Sequence, residues 1–400
     1  MINKRNFILI SPHFPENFTP FAQRLKEENF QTLGIADVPY EQLTDRLKEA
    51  LTDYYQVSDM ENYQQVYQAV AYFAYKYGRI DRIESHNEHW LELDAHLRTD
   101  FNVPGYHLTE IPKIRRKSNM KEVFRSIGLP VAKGRVFSDF SDALQLVQEL
   151  HYPVIIKPDS GVGATDTYKI DHPHDLETFF TTWQADVPYI MEEFILGEIE
   201  TFDGIADQDG RVVFYSTFHY SEAVLDTVEK NSEMFYFIPR EIPQDIIEMG
   251  KKIVEAFQVK ERFFHLEFFR TTDGKLIPLE VNMRPPGGLS IDMFNYANDI
   301  DVFQEYATIV KDNQFRANVT RPYHCAYVSR KYTNQPYRYS NEQIREQIGA
   351  GLIQFQSIPG IFAQIMGDEG YLIRSATKKE LFEWIQLIHL RTEEVTHNAF

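Results

Sequence analysis

The stretch RFFHLEFFRTTDGKLIPLEVNMRPPGG, residues 262–288, constrains this 400-residue chain more than any other. Asp273-Gly274 is a strong turn signal between two runs rich in strand-forming residues. A two-residue turn centred there places Glu267 directly opposite Glu280, and His265 opposite Asn282. Side chains two apart in a strand share a face, so these four crowd one side of the hairpin. A symmetric four-residue loop keeps that pairing, whereas a three- or five-residue loop shifts it. Two opposed carboxylates repel unless something cationic lies between them. Two Glu and one Asn offer oxygen ligands that suit a hard cation such as Mg2+, with Mn2+ as the alternative. Arg284, two residues further along the same side, is placed to hold an anion beside that cation. The competing reading is an ordinary solvent-facing hairpin with its glutamates exposed.

The chain opens differently. NFILI (residues 6–10) reads as a buried strand, SPHFPENFTP as a loop, FAQRLKEENF as an amphipathic helix and QTLGIAD as a second strand. That order is typical of an open α/β sheet. The first loop lacks GxGxxG, so the dinucleotide fingerprint is absent. Residues 41–55 and 61–77 read as helices, with Tyr63, Tyr67 and Ala71 forming a core stripe or a dimer face. IDRIES reads as a strand. His86, His89 and His96 follow it and are read as packing or capping residues rather than metal ligands. Glu84, Asn87 and Glu88, at the end of that strand, are candidates to reach a substrate. Turn punctuation in GYHLTEIP puts a domain boundary near Pro112.

From Met120 onward helices and strands alternate: MKEVFRSIG, LPVAKGRVF, SDALQLVQEL and YPVIIKPD. The strands TYKI and YIMEEFI, the helix PQDIIEMGKKIVEAFQ and a helix over 298–311 come later. Lys157 ends an apolar strand and is followed by SGVGA. Small residues there let backbone N–H groups approach phosphates. The pattern is not GxxxxGK[ST], and a plain strand-to-strand turn competes. The basic run Lys113, Arg115, Arg116 and Lys117 stands out in a chain whose formal net charge is −18. A solvated patch is the simpler account of Lys113 and Arg115. So acidic a surface argues against nucleic-acid and anionic-membrane partners. Cys325 is the sole cysteine, so no intrachain disulfide or cysteine-based zinc site forms. The apolar run Phe7–Ile10 is too short for a signal segment, and no stretch approaches the ~18 apolar residues of a membrane span. A cytoplasmic protein is the expectation.

Taken in order, KSNMKEVFRSIGLPV, PVIIKPDSGVGATDTYKI, YIMEEFILGEIE and FFHLEFFR…IPLEVNMRPPGG resemble the ATP-grasp superfamily. The resemblance covers about residues 113–310. It implies a pre-ATP-grasp open α/β domain over 1–112, followed by an α+β ATP-grasp domain over 113–310. Within the latter, a smaller lid-like subdomain spans 113–187 and a metal-binding subdomain 188–310, the two sandwiching ATP. Residues 311–400 complete that domain or form a lid. The resemblance further implies that Lys117 and Lys157 contact ATP phosphates under a loop containing Gly161 and Gly163. Glu193 and Ile195 would meet adenine through backbone groups, and Glu200 would hold the ribose. Glu267, Glu280 and Asn282 would bind Mg2+, and Arg284 would clamp the γ-phosphate or an acyl phosphate. Lys157 and Arg284 are the catalytic candidates, and His265 is kept as structural.

Departures narrow the subfamily. RPPGG stands where biotin carboxylases show RxQVEH, Arg284 is usually missing from D-alanine ligases, and carbamoyl-phosphate synthetases carry two copies. Ala164 stands where many relatives have Ser. The ending is most similar to amino-acid and related carboxylate–amine ligases. The implied activity is ATP-dependent amide formation from a small carboxylate and an amine, through an acyl phosphate, with a homodimer allowed for. The alternatives are a ligase using another acceptor, as in carbamoyl-phosphate or biotin-carboxylase chemistry, and a non-catalytic ATP-binding regulatory module.

Overall fold

A computed structural model describes residues 4–161, 166–221, 233–332, 335–358, 360, 363 and 366–392. Gly163 and Ala164 lie outside the described residues.

Four parallel strands, β1 (Asn6–Ile10), β2 (Gln31–Ala36), β3 (Asp53–Gln56) and β4 (Ile80–Glu84), form the first sheet in the order β3-β2-β1-β4. β1 is buried along its whole length, as its unbroken apolar run requires of a central parallel strand. The helix Tyr63–Tyr77 is capped by the Asn62 side chain and packs Val66, Ala69, Val70 and Phe73 inward. Tyr63 and Tyr67 lie at the margin of that core. The helix expected over 41–55 is shorter. It runs Asp45–Ala50 and then gives way to β3, whose Asp-Tyr-Tyr-Gln pairs with β2.

The second sheet contains β5 (Gly134–Phe137), β6 (Val154–Pro158), β7 (Tyr168–Ile170) and β8 (Tyr189–Glu193), in the order β5-β8-β6-β7. Its core combines Val154, Ile156 and Met191 with Leu146, Val147, Leu176 and Phe179 from two helices. β8 was expected in the metal-binding subdomain. It pairs instead with β5 and β6, so the boundary between sheets falls after Glu193.

The third sheet is antiparallel and has nine strands: β9 (Gly197–Ala206), β10 (Val212–Ser216), β11 (His219–Tyr220), β12 (Phe235–Ile238), β13 (Arg262–Thr271), β14 (Leu276–Asn282), β15 (His324–Arg330), β16 (Leu352–Ser357) and β17 (Glu369–Ser375). β15, β16 and β17 join the sheet that carries Glu267 and Glu280, so these strands of the C-terminal segment extend that sheet. Period-two alternation explains its two faces. Phe264, Leu266 and Phe268 of β13 pack with Ile246, Ile253 and Val254 of the helix Gln244–Ala256. Phe263 faces the other way, onto Tyr306 and Phe21. His265 and Glu267 continue that second face. A separate helix, Ser290–Asn298, precedes the helix expected over 298–311, which runs Val302–Asp312. Asp299 in the left-handed region ends the first, and the Asp301 side chain caps the second.

Candidate active site

β13 and β14 pair Glu267 with Glu280 and His265 with Asn282, the partners expected from the turn. The route to that pairing differs. The Thr271 N–H donates to Lys275 O at 2.9 Å, closing a three-residue loop in which Gly274 takes φ +84°. That loop shifts the register by one near the turn, where Phe268 faces Pro278. An extra residue, Leu279, then restores it before the carboxylates. A bulge is the natural place for Pro278, which has no N–H for the ladder, and β14 is an edge strand.

The opposed carboxylates are not solvent-facing. Lys117 Nζ lies 3.4 Å from Glu280 Oε2 and 3.4 Å from Gly161 O. Lys117 opens the helix Lys117–Ser126, and its N–H donates to Asp159 O at 2.7 Å. The Asp159 carboxylate also accepts from Ser118, so the helix start is tied to the end of β6. Burial, with Glu267 and Glu88 nearby, raises the Glu280 carboxyl against the pull of Lys117. Glu267 goes the other way. Burial opposes its ionisation, but His265, Arg284 and Lys157 outweigh that and lower it.

The Asn282 amide end that faces Glu88 and Glu280 lies 3.0–3.3 Å from their oxygens. An amide nitrogen there donates to both, whereas an amide oxygen there requires a cation. Two carboxylates and an amide that can turn its oxygen toward them make an oxygen donor set that fits a hard divalent ion. Among the described residues, no three His, Cys, Asp or Glu side chains are already drawn together as a closed metal cluster. His86, His89 and His96 do not converge: His86 stacks on Phe21 at 4.0 Å and His89 meets Glu61 at 2.7 Å.

A second group of charges lines the inner side of the smaller sheet. Glu192 binds Lys157 at 3.0 Å and Lys121 at 2.6 Å, all three buried. Lys121 is one helical turn beyond Lys117 and so shares its face. Burial lowers the Lys121 ammonium, while at Lys157 Glu192 and Glu280 overcome burial and raise it. Glu193 is held by Lys133, its N–H donating to Lys133 O at 2.9 Å and its carboxylate accepting the Lys133 N–H at 2.8 Å. Ile195 follows in the short link between β8 and β9, half-buried. Glu200, buried on β9, pairs with Arg270 at 2.8 Å and faces His219 at 3.3 Å. Arg115 is a surface residue paired with Glu92 at 3.1 Å, in keeping with a solvated patch.

The N-terminal sheet supplies the remaining wall. Its strand order reverses between β1 and β4, and the carboxyl ends of strands at such a switch point are where open α/β sheets place ligands. Glu88, just beyond β4, binds Arg284 at 2.6 Å. Glu84 binds Arg262 at 2.7 Å and the buried Arg98 at 2.9 Å. Asn87 instead shapes the loop, its carbonyl accepting from Ser85 Oγ at 3.0 Å. Glu192, Lys121 and Asp203 carry no motif in isolation and are absent from the sequence reading. The i, i+4 spacing of Lys117 and Lys121 is a signal that could have found Lys121.

The ATP-grasp domain family matches residues 150–292. The L-arginine-specific L-amino acid ligase of Bacillus subtilis is 28% identical over 227 residues, 53% of this chain and 53% of that protein. The match thus spans about half the length of that curated relative. The crystal structure of L-amino acid ligase from Bacillus licheniformis superposes with a TM-score of 0.76 at 15% identity, covering 97% of this chain and 98% of that one. N5-carboxyaminoimidazole ribonucleotide synthetase from Thermotoga maritima does so with a TM-score of 0.68 at 15% identity, covering 95% and 96%. Among the described residues no helix is long and apolar enough to cross a membrane. Residues 150–292 match the ATP-grasp domain family, and the chain as a whole shares the fold of the L-amino acid ligase structure.

Proposed function

We propose that this chain is an ADP-forming carboxylate–amine ligase that works through an acyl phosphate. One observation carries the reading: Lys117 spans from the phosphate-loop carbonyl of Gly161 to Glu280, joining the nucleotide side of the cleft to the carboxylate hairpin. In this reading ATP lies between the two sheets. Lys117 and Lys157 meet its phosphates, Gly161 and Gly163 belong to the covering loop, Glu193 and Ile195 border adenine, and Glu200 holds the ribose. Glu267, Glu280 and Asn282 would hold Mg2+ or Mn2+. When bound, that ion would neutralise charge on the transferring phosphoryl group.

A substrate carboxylate oxygen attacks the γ-phosphorus, and the bond to the β-phosphate oxygen breaks to release ADP. The amine nitrogen then attacks the acyl carbon, phosphate leaves and the amine proton passes to solvent. Carboxylates acylate poorly, so phosphorylation supplies the leaving group. Positioning and preorganised positive charge are the protein's contribution. Arg284 exchanges Glu88 for the acyl phosphate. The carboxylate substrate lies at the carboxyl end of β4, beside Glu88 and residues 285–296. The nature of the relatives makes an amino acid the favoured carboxylate.

The test is ADP and phosphate release with Mg-ATP against pooled L-amino acids and small carboxylates, with and without a second amine. Release that needs both partners supports ligation. ATP binding with no release in any pool favours a regulatory module, and release with bicarbonate alone favours another acceptor.

A further inference from the structure

Asp203 and His265 have no part in the chemistry above, yet they are built against one of the hairpin carboxylates. They face each other across β9 and β13. His265 Nδ1 lies 2.5 Å from Asp203 Oδ1, and His265 Nε2 lies 3.1 Å from Glu267 Oε1. Each ring nitrogen therefore faces a carboxylate oxygen. The Thr201 hydroxyl donates to the second oxygen of Asp203. Thr201, Asp203 and His265 are all buried, so the chain is held in place by packing as well as by hydrogen bonds. Glu267 Oε1 also faces the Asn282 amide at 3.3 Å. No protein partner is recorded for Oε2 among the described residues.

We propose that Asp203 and His265 cap one oxygen of Glu267, so that this carboxylate offers a single oxygen to a divalent cation and the site favours Mg2+ or Mn2+ over Ca2+. Ca2+ takes about six to eight oxygens and readily accepts a carboxylate through both, whereas Mg2+ demands a compact octahedron. To become a two-oxygen ligand, Glu267 must break its hydrogen bond to His265. Partners of this kind behind a ligand change metal affinity by about 10–100-fold. Asp203 and His265 are thus positioning residues. The inference rests on the proposed metal role of Glu267, Glu280 and Asn282.

The experiment is calorimetric titration of the whole chain, with ADP present, using Mg2+, Mn2+ and Ca2+ in turn. Wild-type protein is expected to prefer Mg2+ and Mn2+. In His265→Leu the preference for Mg2+ over Ca2+ should fall by about tenfold. His265→Gln keeps a donor and should retain most of the preference. Asp203→Asn loosens the ring and should fall between, and it decides the matter should the leucine variant not fold. A purely structural role would weaken all three ions alike. An unchanged ratio in the folded variants overturns the inference while leaving the metal reading intact. Wild-type protein that binds none of the ions overturns both.

Discussion

Glu88 Oε2 lies 2.6 Å from Arg284 Nη2, so the end of the N-terminal sheet grips the residue that follows the carboxylate strand. The same carboxylate lies 3.0–3.2 Å from the Asn282 amide. A side chain from the N-terminal sheet thereby positions Asn282, a candidate metal ligand, and holds Arg284 beside it until the proposed acyl phosphate takes the place of Glu88. Glu88→Ala should leave the KM for ATP nearly unchanged and lower kcat by about 100-fold, the scale of a misplaced reacting group. Steady-state ADP release checks this. Equal losses in kcat and ATP affinity would show that Glu88 supports the fold instead.

Lys117 makes two contacts of 3.4 Å that close the cleft, one to Glu280 and one to the Gly161 carbonyl. Charge-assisted hydrogen bonds of this kind contribute about 1.5–3 kcal/mol. Lys117→Met should therefore raise the Kd for ATP by about 10–100-fold, read by equilibrium binding. Unaltered nucleotide affinity would remove Lys117 from the phosphate site.

Glu192 neutralises Lys121 and Lys157 at once, in a buried position. Glu192→Gln strands two ammonium groups and should destabilise the protein by about 3–5 kcal/mol, the range for a broken buried ion pair. Lys121→Met, which leaves the Glu192–Lys157 pair, should cost much less. Urea unfolding of the two variants separates these outcomes, and equal losses would contradict the account.

Asp94 is buried, with Ser85 N–H and Oγ donating to its Oδ2 at 3.0 and 2.8 Å. Burial pushes its carboxyl up to about 7. In the unfolded chain the same group titrates near ~4. Between those values the folded state binds more protons than the unfolded, so this group's contribution makes stability fall as pH rises from about 4 to about 7. Asp94→Asn should gain on wild type across that window and run parallel to it above. A stability difference independent of pH would mean that Asp94 stays ionised.

Much of the site was legible because strand geometry has period two. Glu267, Glu280, His265 and Asn282 could be placed on one face from their numbering alone. That placement survived a wrong loop length only because Leu279 bulges and repays the shift. Residues whose role depends on non-local packing were not legible. Nothing in the order of residues puts Glu88 on Arg284, 196 positions away. His265 read as structural because its partner Asp203 sits on a different strand. β8 was given to the wrong sheet because YIMEEFILGEIE runs on without a turn signal, and only tertiary pairing divides it after Glu193. The helix expected from 298 begins only at Val302, a start not legible because Asp299 in the left-handed region and the Asp301 cap are weaker end signals than Gly or Pro.

The acyl phosphate is the centre of this account, and oxygen-18 transfer tests it most directly. With a carboxylate substrate labelled in both oxygens, the released phosphate should carry one labelled oxygen per turnover, and only when the amine is present. Phosphate that draws its new oxygen from solvent, with the label left in the carboxylate, would contradict an acyl phosphate and with it the ligase assignment.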